Sequence, residues 1–384
     1  MDLPELCLRL QEAASSLEPS DGTLAWPKEQ LHWCAEAGVF RWFVPQEYGG
    51  WNWSESKQLE GYLAISQACL TTAFVLTQWN AACKRIVQST NEPLRERWLP
   101  GMADGRIFAT VGISHLTTSR QHLKAPVLLA RPQLRPSATH PAHERAEEIA
   151  RDGDNNLALA PQHEQVEAPA DYILQGFSPW VTGATAADLF VVGATRPDGQ
   201  QLLCAVPANR QGLQPSMPNR LVALSASQTG AVHFTSVHVS SDDIIAGPAE
   251  NVMKSGAGGG AGGLQTSTLA IGLTQAAVEF LLQEASLRSD LAEIAEKLAA
   301  DAYELRRALL ASAAGQDSLS AVRLREQANS LVLRATQAAL VAAKGAGFAA
   351  NHPVGRYCRE ALFFLVWSCP QPVLAANLCE FAQF

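Results

Sequence analysis

Residues 180–192 read Trp180-Val181-Thr182-Gly183-Ala184-Thr185-Ala186-Ala187-Asp188-Leu189-Phe190-Val191-Val192. An aromatic and two β-branched residues lead into Gly183, a turn former. Small residues and an acidic one follow, and then an unbroken apolar run. Such a pattern reads as strand, turn and buried strand. Further β-rich runs flank it at 108–113, 125–130, 172–174, 202–206 and 231–239, punctuated by Gly, Pro, Asn and Asp. Pro197-Asp198-Gly199 between two such runs is a hairpin signal. Residues 107–246 therefore read as a β domain.

On both sides the periodicity becomes helical. Residues 3–14 are amphipathic, and Trp26-Pro27 opens a second helix with proline at its first position that stops at Gly38. The run Val39-Phe40-Arg41-Trp42-Phe43-Val44-Pro45, closed by Gln46-Glu47-Tyr48-Gly49-Gly50, is loop chemistry. Ser54 can cap a helix that carries apolar groups to Trp79, and residues 95–103 form a further helical piece. Beyond the β domain the chain is rich in Ala and Leu, with helical segments at 264–287, 291–314, 319–343 and 356–381. The expected class is α+β, with a helical domain (1–106), a central β-barrel-like domain (107–246) and a C-terminal four-helix bundle (247–384).

Within the β domain, residues 131–170 are polar and proline-rich and read as an exposed excursion. His140, His143 and His163 invite a metal reading, but a solvated loop fixes no ligand geometry, so no metal is expected. Gly256–Gly263 precedes a helix but lacks the Gly-Lys-Ser/Thr ending of a phosphate loop and reads as a linker.

The chain has 384 residues, 47% of them hydrophobic and only 17% charged, where about a quarter is usual. Surface covered in an oligomer is the expected reason. Lys+Arg 29 against Asp+Glu 37 gives −8, which argues against a nucleic-acid binder. No apolar run is long enough to span a membrane, and the N-terminus lacks a signal-peptide pattern. The eight cysteines form no CxxC pair, so a reduced, cytoplasmic setting is expected.

Five local motifs, in order, resemble the acyl-CoA dehydrogenase superfamily across nearly the whole chain. Trp42 to Gly50 is similar to its hydrophobic-P-x-E-Y-G-G element, and Trp98 to Gly105 to its L-P-x-hydrophobic-x-x-G. Trp180-Val181-Thr182-Gly183-Ala184 with Ala187-Asp188 resembles its W-I-T-N-A…A-D segment. Ser227 to Phe234 with Val237-His238-Val239 resembles the strand pair closing its β domain, and Arg359-Glu360-Ala361 its R-D-A. The resemblance implies a flavoprotein, a homodimer or homotetramer with FAD or alternatively FMN, acting on a CH–CH bond of an acyl thioester such as an acyl-CoA. A glutamate takes the α-proton and flavin N5 takes the hydride.

By this resemblance Trp180 offers an aromatic face to the flavin and Thr182 hydrogen bonds near N5. The family's T-E-P-x-x-G-S-D loop corresponds to residues 112–120, where Thr117, Thr118 and Ser119 can donate to a flavin or phosphate but the acidic residues are absent. His115 is the polar candidate in that loop. The base position, seven residues after Ala361, is Ser368, and a hydroxyl without its own base does not replace a carboxylate. The alternative base site at the start of the first bundle helix, residues 262–268, has no acid either. The R-x-x-F-G loop is reduced to Arg288-Ser289-Asp290-Leu291, and Lys344 precedes Gly345 where Q-x-x-G-G-x-G loses its glutamine.

Three functions follow. One is acyl-CoA dehydrogenase-type oxidation, one a monooxygenase-like relative using reduced flavin and oxygen, and one a non-catalytic relative that keeps the fold as a binding or assembly module. Cys369 reads as a structural thiol, and Trp51 and Trp53 as wedges between the helical and β domains.

Overall fold

The computed structural model describes residues 1–18, 25–117, 126–133, 171–254, 263–316 and 318–383. Five helices come first: α1 (Leu3–Ala13), α2 (Lys28–Glu36), α3 (Glu55–Ala68), α4 (Leu70–Val87) and α5 (Glu92–Ala103). Asp2, Ser54 and Asn91 cap α1, α3 and α5 by accepting backbone N–H bonds in the first turn. The single helix expected from Ser54 to Trp79 is two, because Cys69 is extended (φ −155, ψ 103) and redirects the chain into the almost fully buried α4. Pro27 caps α2 rather than starting it, since its ψ of 48 is not helical.

The β elements are β1 (Ala109–Gly112), β2 (Leu128–Gln133), β3 (Asp171–Val181), β4 (Leu189–Thr195), β5 (Gln201–Pro207), β6 (Leu213–Pro215), β7 (Gly230–Val239) and β8 (Ile244–Ala249). A one-turn helix, α6 (Ser114–Thr117), follows β1. They form one eight-stranded sheet in the order β6-β7-β3-β2-β4-β5-β8, with β1 added in parallel beside β4. The β4–β5 hairpin closes at Gly199, whose φ of 88 is the reason a glycine stands there. Arg131 to Gln133, placed in the polar excursion by sequence, complete β2 against β3. Residues 134–170, with His140, His143 and His163, lie outside the described residues, as do 255–262 of the glycine-rich segment.

The last helices are α7 (Leu264–Leu287), α8 (Ala292–Ala313), α9 (Ala321–Ala343), α10 (Pro353–Ala361) and α11 (Gln371–Ala382). The helix expected over 356–381 is broken by a 3-10 turn at Leu362–Leu365, a left-handed Ser368 (φ 44) and Pro370. Pro370 lacks an N–H and restricts Cys369 before it, so a helix cannot run through. α7 packs between α3, α8 and α9, and a methyl on Gly272 would lie 1.9 Å from Ser66 Oγ. One apolar core joins the N-terminal helices to the bundle, and a second, around Phe190, Phe234 and Val192, lies within the sheet. Trp51 and Trp53 do not wedge two domains apart. Trp53 stacks on Trp42 (4.6 Å between centroids) and Trp51 on Trp53 (5.5 Å), with Trp51 lying over Gly38, all inside the first helical region.

Candidate functional site

The end of β3 holds the most unusual backbone near the predicted site. Pairing with β7 shifts register between Ser178 and Val181, and Trp180 sits in that shift with φ 53. A bulky residue in left-handed backbone costs on the order of 1–3 kcal/mol. The indole is nevertheless 54% exposed, so burial does not offset that cost. Trp180 is thus both strained and exposed.

Behind Trp180 the chain turns inward. Thr182 is buried. Its carbonyl accepts from Thr110 Oγ1 at 2.7 Å, and its hydroxyl meets Thr229 Oγ1 at 3.2 Å, which meets Ser227 Oγ at 2.8 Å. This hydroxyl chain ties β1, the exit of β3 and the entry of β7 together. Gln228 in the same turn is left-handed (φ 45), and Gly183 N and Ala184 N donate to the carbonyls of Ser227 and Gln228. Ser178 Oγ is buried with no hydrogen-bond partner among the described residues. A methyl on Gly112 would lie 2.7 Å from it, so β1 and β3 need glycine there to approach.

The adjoining α6 carries the remaining candidates. Ser114 Oγ donates to Pro179 O at 3.1 Å, so α6 is fastened beside Trp180. Thr117 Oγ1 donates to Ser114 O at 3.2 Å within that turn. Ser119 and Thr118 lie outside the described residues. His115 is buried, with Nε2 2.8 Å from Gly193 O. A carbonyl only accepts, so the proton is on Nε2 and the ring is the neutral tautomer with Nδ1 bare. Burial lowers its pKa below the usual histidine range, against a smaller opposing effect of the Gly193 bond. A depressed histidine pKa contributes stability above the unfolded value near 6.5 that is lost as pH falls below it. The His115 ring is therefore expected to stay neutral in an NMR pH titration through the usual histidine range. Its protonation within that range would contradict this placement.

Ser368 belongs to a second cluster. Trp367 stacks on Phe363 (5.0 Å), and both meet Phe74 of α4 edge-on at 5.1 and 4.7 Å. Arg325 and Asn329 of α9 reach across to this segment, donating to Phe364 O at 3.2 and 3.0 Å, and Arg325 also to Trp367 O at 2.8 Å. No carboxylate forms an ion pair with Arg325 among the described residues. The first turn of α7 presents Thr266, Ser267 and Thr268, all buried, and no acid. The carboxylate in this neighbourhood that sequence reasoning passed over is Glu360, fully buried one turn before Phe363. Burial pushes it up to about 7, opposed by Arg356, whose Nε is 3.8 Å away.

Arg288 turns back into its own bundle, donating to Glu284 Oε2 at 2.8 Å and Ala342 O at 2.6 Å. Asp188 of the A-D pair has a structural task, since Phe108 N donates to its Oδ2 at 2.8 Å and fixes the start of β1. A surface groove of about 660 Å³ between α2 and the β1 entry includes Trp26, His32, Phe40, Arg106 and Phe108. Its acids are engaged, Glu36 with His32, Asp104 with Arg106 and Asp188 with the backbone, so it offers little chemistry.

Residues 10–106 match the family model described as acyl-CoA dehydrogenase, N-terminal domain. Residues 10–106 are thus similar to that N-terminal domain, and the fold of the described residues is acyl-CoA dehydrogenase-like. Among solved structures it is similar to FkbI for biosynthesis of the methoxymalonyl extender unit of Fk520, with 17% identity, a TM-score of 0.76, and 100% of this chain and 99% of that chain covered. It is also similar to glutaryl-coenzyme A dehydrogenase in its glutaryl-CoA complex, with 15% identity, a TM-score of 0.74, and 99% and 95% covered. A third is KijD3 in complex with FMN and a dTDP-linked amino-keto sugar, with 18% identity, a TM-score of 0.72, and 99% and 92% covered. No curated protein matches the sequence. At these identities the likeness is one of fold. No described helix is long and apolar enough to cross a membrane.

Proposed function

We propose that this chain is a flavin-dependent oxidoreductase in which Trp180 is the aromatic platform for the flavin ring. The observation that carries this is the strained, exposed indole of Trp180 above the buried Thr110–Thr182–Thr229–Ser227 network. A planar aromatic ligand covers such a face, and the network holds the backbone beneath it rigid. The α6 turn, fastened to Pro179 O through Ser114 Oγ, adds the Thr117 hydroxyl near this segment. Ser119 keeps its proposed role from the motif alone. A bound flavin supplies two-electron redox chemistry that no side chain of the protein offers. The chain's own part is to bind, orient and exclude water.

Of the reactions open to this fold, the local chemistry favours one that needs no carboxylate to take an α-proton. Ser368 and the hydroxyl-lined first turn of α7 stand where an acyl-thioester dehydrogenase needs a base. That supports a reduced-flavin, oxygen-using, monooxygenase-like reaction over CH–CH oxidation of an acyl-CoA. Arg288, engaged with Glu284 and Ala342, leaves the adenosine side weak, which favours FMN over FAD. The FMN complex of the similar KijD3 supports the same choice. Exposed Leu374, Leu378 and Phe381 along α11 are consistent with a homo-oligomer.

The test is anaerobic titration of the purified protein with reduced FMN and reduced FAD. Saturable binding that Trp180→Ala weakens about tenfold, ~1.4 kcal/mol, is expected. Equal binding by Trp180→Ala would refute the platform, and acyl-CoA-dependent reduction of an acceptor dye would restore the dehydrogenase reading.

A further inference from the structure

We infer that Arg325 is the receptor for a compact oxyanion, a carboxylate or phosphate group, carried by the ligand that docks against residues 362–370. This rests on the reading above, in which that segment borders the substrate, and it names a chemical feature of that substrate.

Arg325 is 4% exposed and projects from α9 to the segment linking α10 and α11. Nη2 is occupied by the carbonyls of Phe364 and Trp367. Nε and Nη1 are buried and have no hydrogen-bond partner among the described residues, and neither has Asn329 Oδ1 one turn along. Three of the five guanidinium N–H groups, one on Nε and two on Nη1, are thus left over. Burial lowers the guanidinium pKa to about 10, which still leaves it charged at neutral pH. The ionisable group acting on it is the Cys369 thiol, which burial itself pushes up and keeps neutral.

A buried charge with no counter-ion is costly, by several kcal/mol, and native structures resolve it with an opposite charge. Capping two carbonyls accounts for Nη2 and leaves Nε and Nη1 unexplained. The cover over them is thin. Trp367 to Pro370 are only partly buried, Val366 is exposed, and Ser368 holds a left-handed backbone. Where relatives by resemblance carry a carboxylate, this chain carries a hydroxyl beside an uncompensated cation. The polarity of that corner is reversed, so the negative charge is left for the ligand to bring.

The experiment is calorimetric titration of the purified, flavin-free protein with sodium propionate and, separately, inorganic phosphate, against sodium chloride at matched ionic strength. Saturable binding of at least one oxyanion above the chloride control is expected, and which one binds distinguishes the two sources. Arg325→Gln should lose it by at least tenfold. Because that variant can fail to fold, Ser368→Glu is the second arm. Its carboxylate can occupy the corner from within, so it should abolish oxyanion binding and raise the melting temperature. No binding above chloride by the wild-type chain, or unchanged binding by either folded variant, would overturn the proposal. Since flavin is absent throughout, a negative result here leaves the flavin titration standing, and a negative flavin titration leaves this result readable.

Discussion

Gly50→Ala is expected to destabilise the protein by at least about 3 kcal/mol, the upper range for overpacking a well-packed site. A methyl group on Gly50 would lie 1.8 Å from Val44 O and 2.3 Å from Val44 C. The neighbour is backbone, so no side chain can swing aside. Val44 O also accepts from Asn52 N at 3.0 Å, while Trp51 N and Trp53 N donate to Arg41 O and Trp42 O at 2.6 and 2.8 Å. The loop is therefore laced to the 3-10 turn Val39–Phe43, and an added methyl must pull the two apart. That would unstack Trp42, which is fully buried, from Trp53. Gly49 is the control. Its φ is 84 but nothing lies within 4 Å of an added methyl, so Gly49→Ala should cost only the left-handed backbone, about 1–2 kcal/mol. Urea unfolding of both variants checks this, with loss of near-ultraviolet circular dichroism expected for Gly50→Ala. A Gly50 variant as stable as the Gly49 variant would contradict the packing account.

The wild-type chain should also lose about 3 kcal/mol of stability from Glu360 alone as pH rises from about 4.5 to 7 and beyond. The sign follows from the direction of the shift. The folded chain holds the Glu360 proton up to about 7, whereas the unfolded chain releases it near 4.5. In that window the folded state binds more protons, so raising the pH favours unfolding. Burial is the main cause, and Glu18 adds to it. Arg356 and Arg359 oppose it, and Arg359 is itself paired with Glu18. His115 acts with the opposite sign, so the variant comparison isolates the carboxylate. The difference in unfolding free energy between pH 5 and pH 8 should shrink by about 3 kcal/mol in Glu360→Gln relative to wild type. An unchanged difference would show that Glu360 is not a buried, high-pKa acid.

The sequence carried the fold because its signals are local. Asp2, Ser54 and Asn91 each cap the helix they precede, and Gly199 closes a hairpin by its own backbone freedom. The 264–287 helix was legible to the residue, since a long apolar, Ala-rich run with no Pro and a single interior Gly, Gly272, has one regular solution. At Cys69 the break between two helices comes from backbone geometry and not from residue type, whereas near Ser368 it comes in part from Pro370, a signal present in the sequence.

The candidate site was legible in part. Trp180 and Thr182 stand out by motif, but their contrast does not, one exposed and strained, the other buried and bonded. Ser178 carries no signal, and Thr229 only that of the Ser227–Phe234 motif, until β1, β3 and β7 converge. Arg325 reads as one of several helical arginines, and only α9 packing on the 362–370 segment shows that it is buried without a counter-ion. Glu360 looks like a conservative replacement of the family's aspartate, and only its burial gives it a pKa near neutrality.

By itself, the sequence determined the order of helices, sheet and helices, the glycines at tight turns, and the absence of an acid at position 368 and in residues 262–268. These are properties of residue identity and short-range backbone preference, which hold wherever the segment lies. Tertiary structure alone decided which polar groups are left without partners and which charges are buried. Hydrogen-bond satisfaction and desolvation depend on atoms hundreds of residues apart in the chain, as between Arg359 and Glu18, and no local pattern encodes that distance.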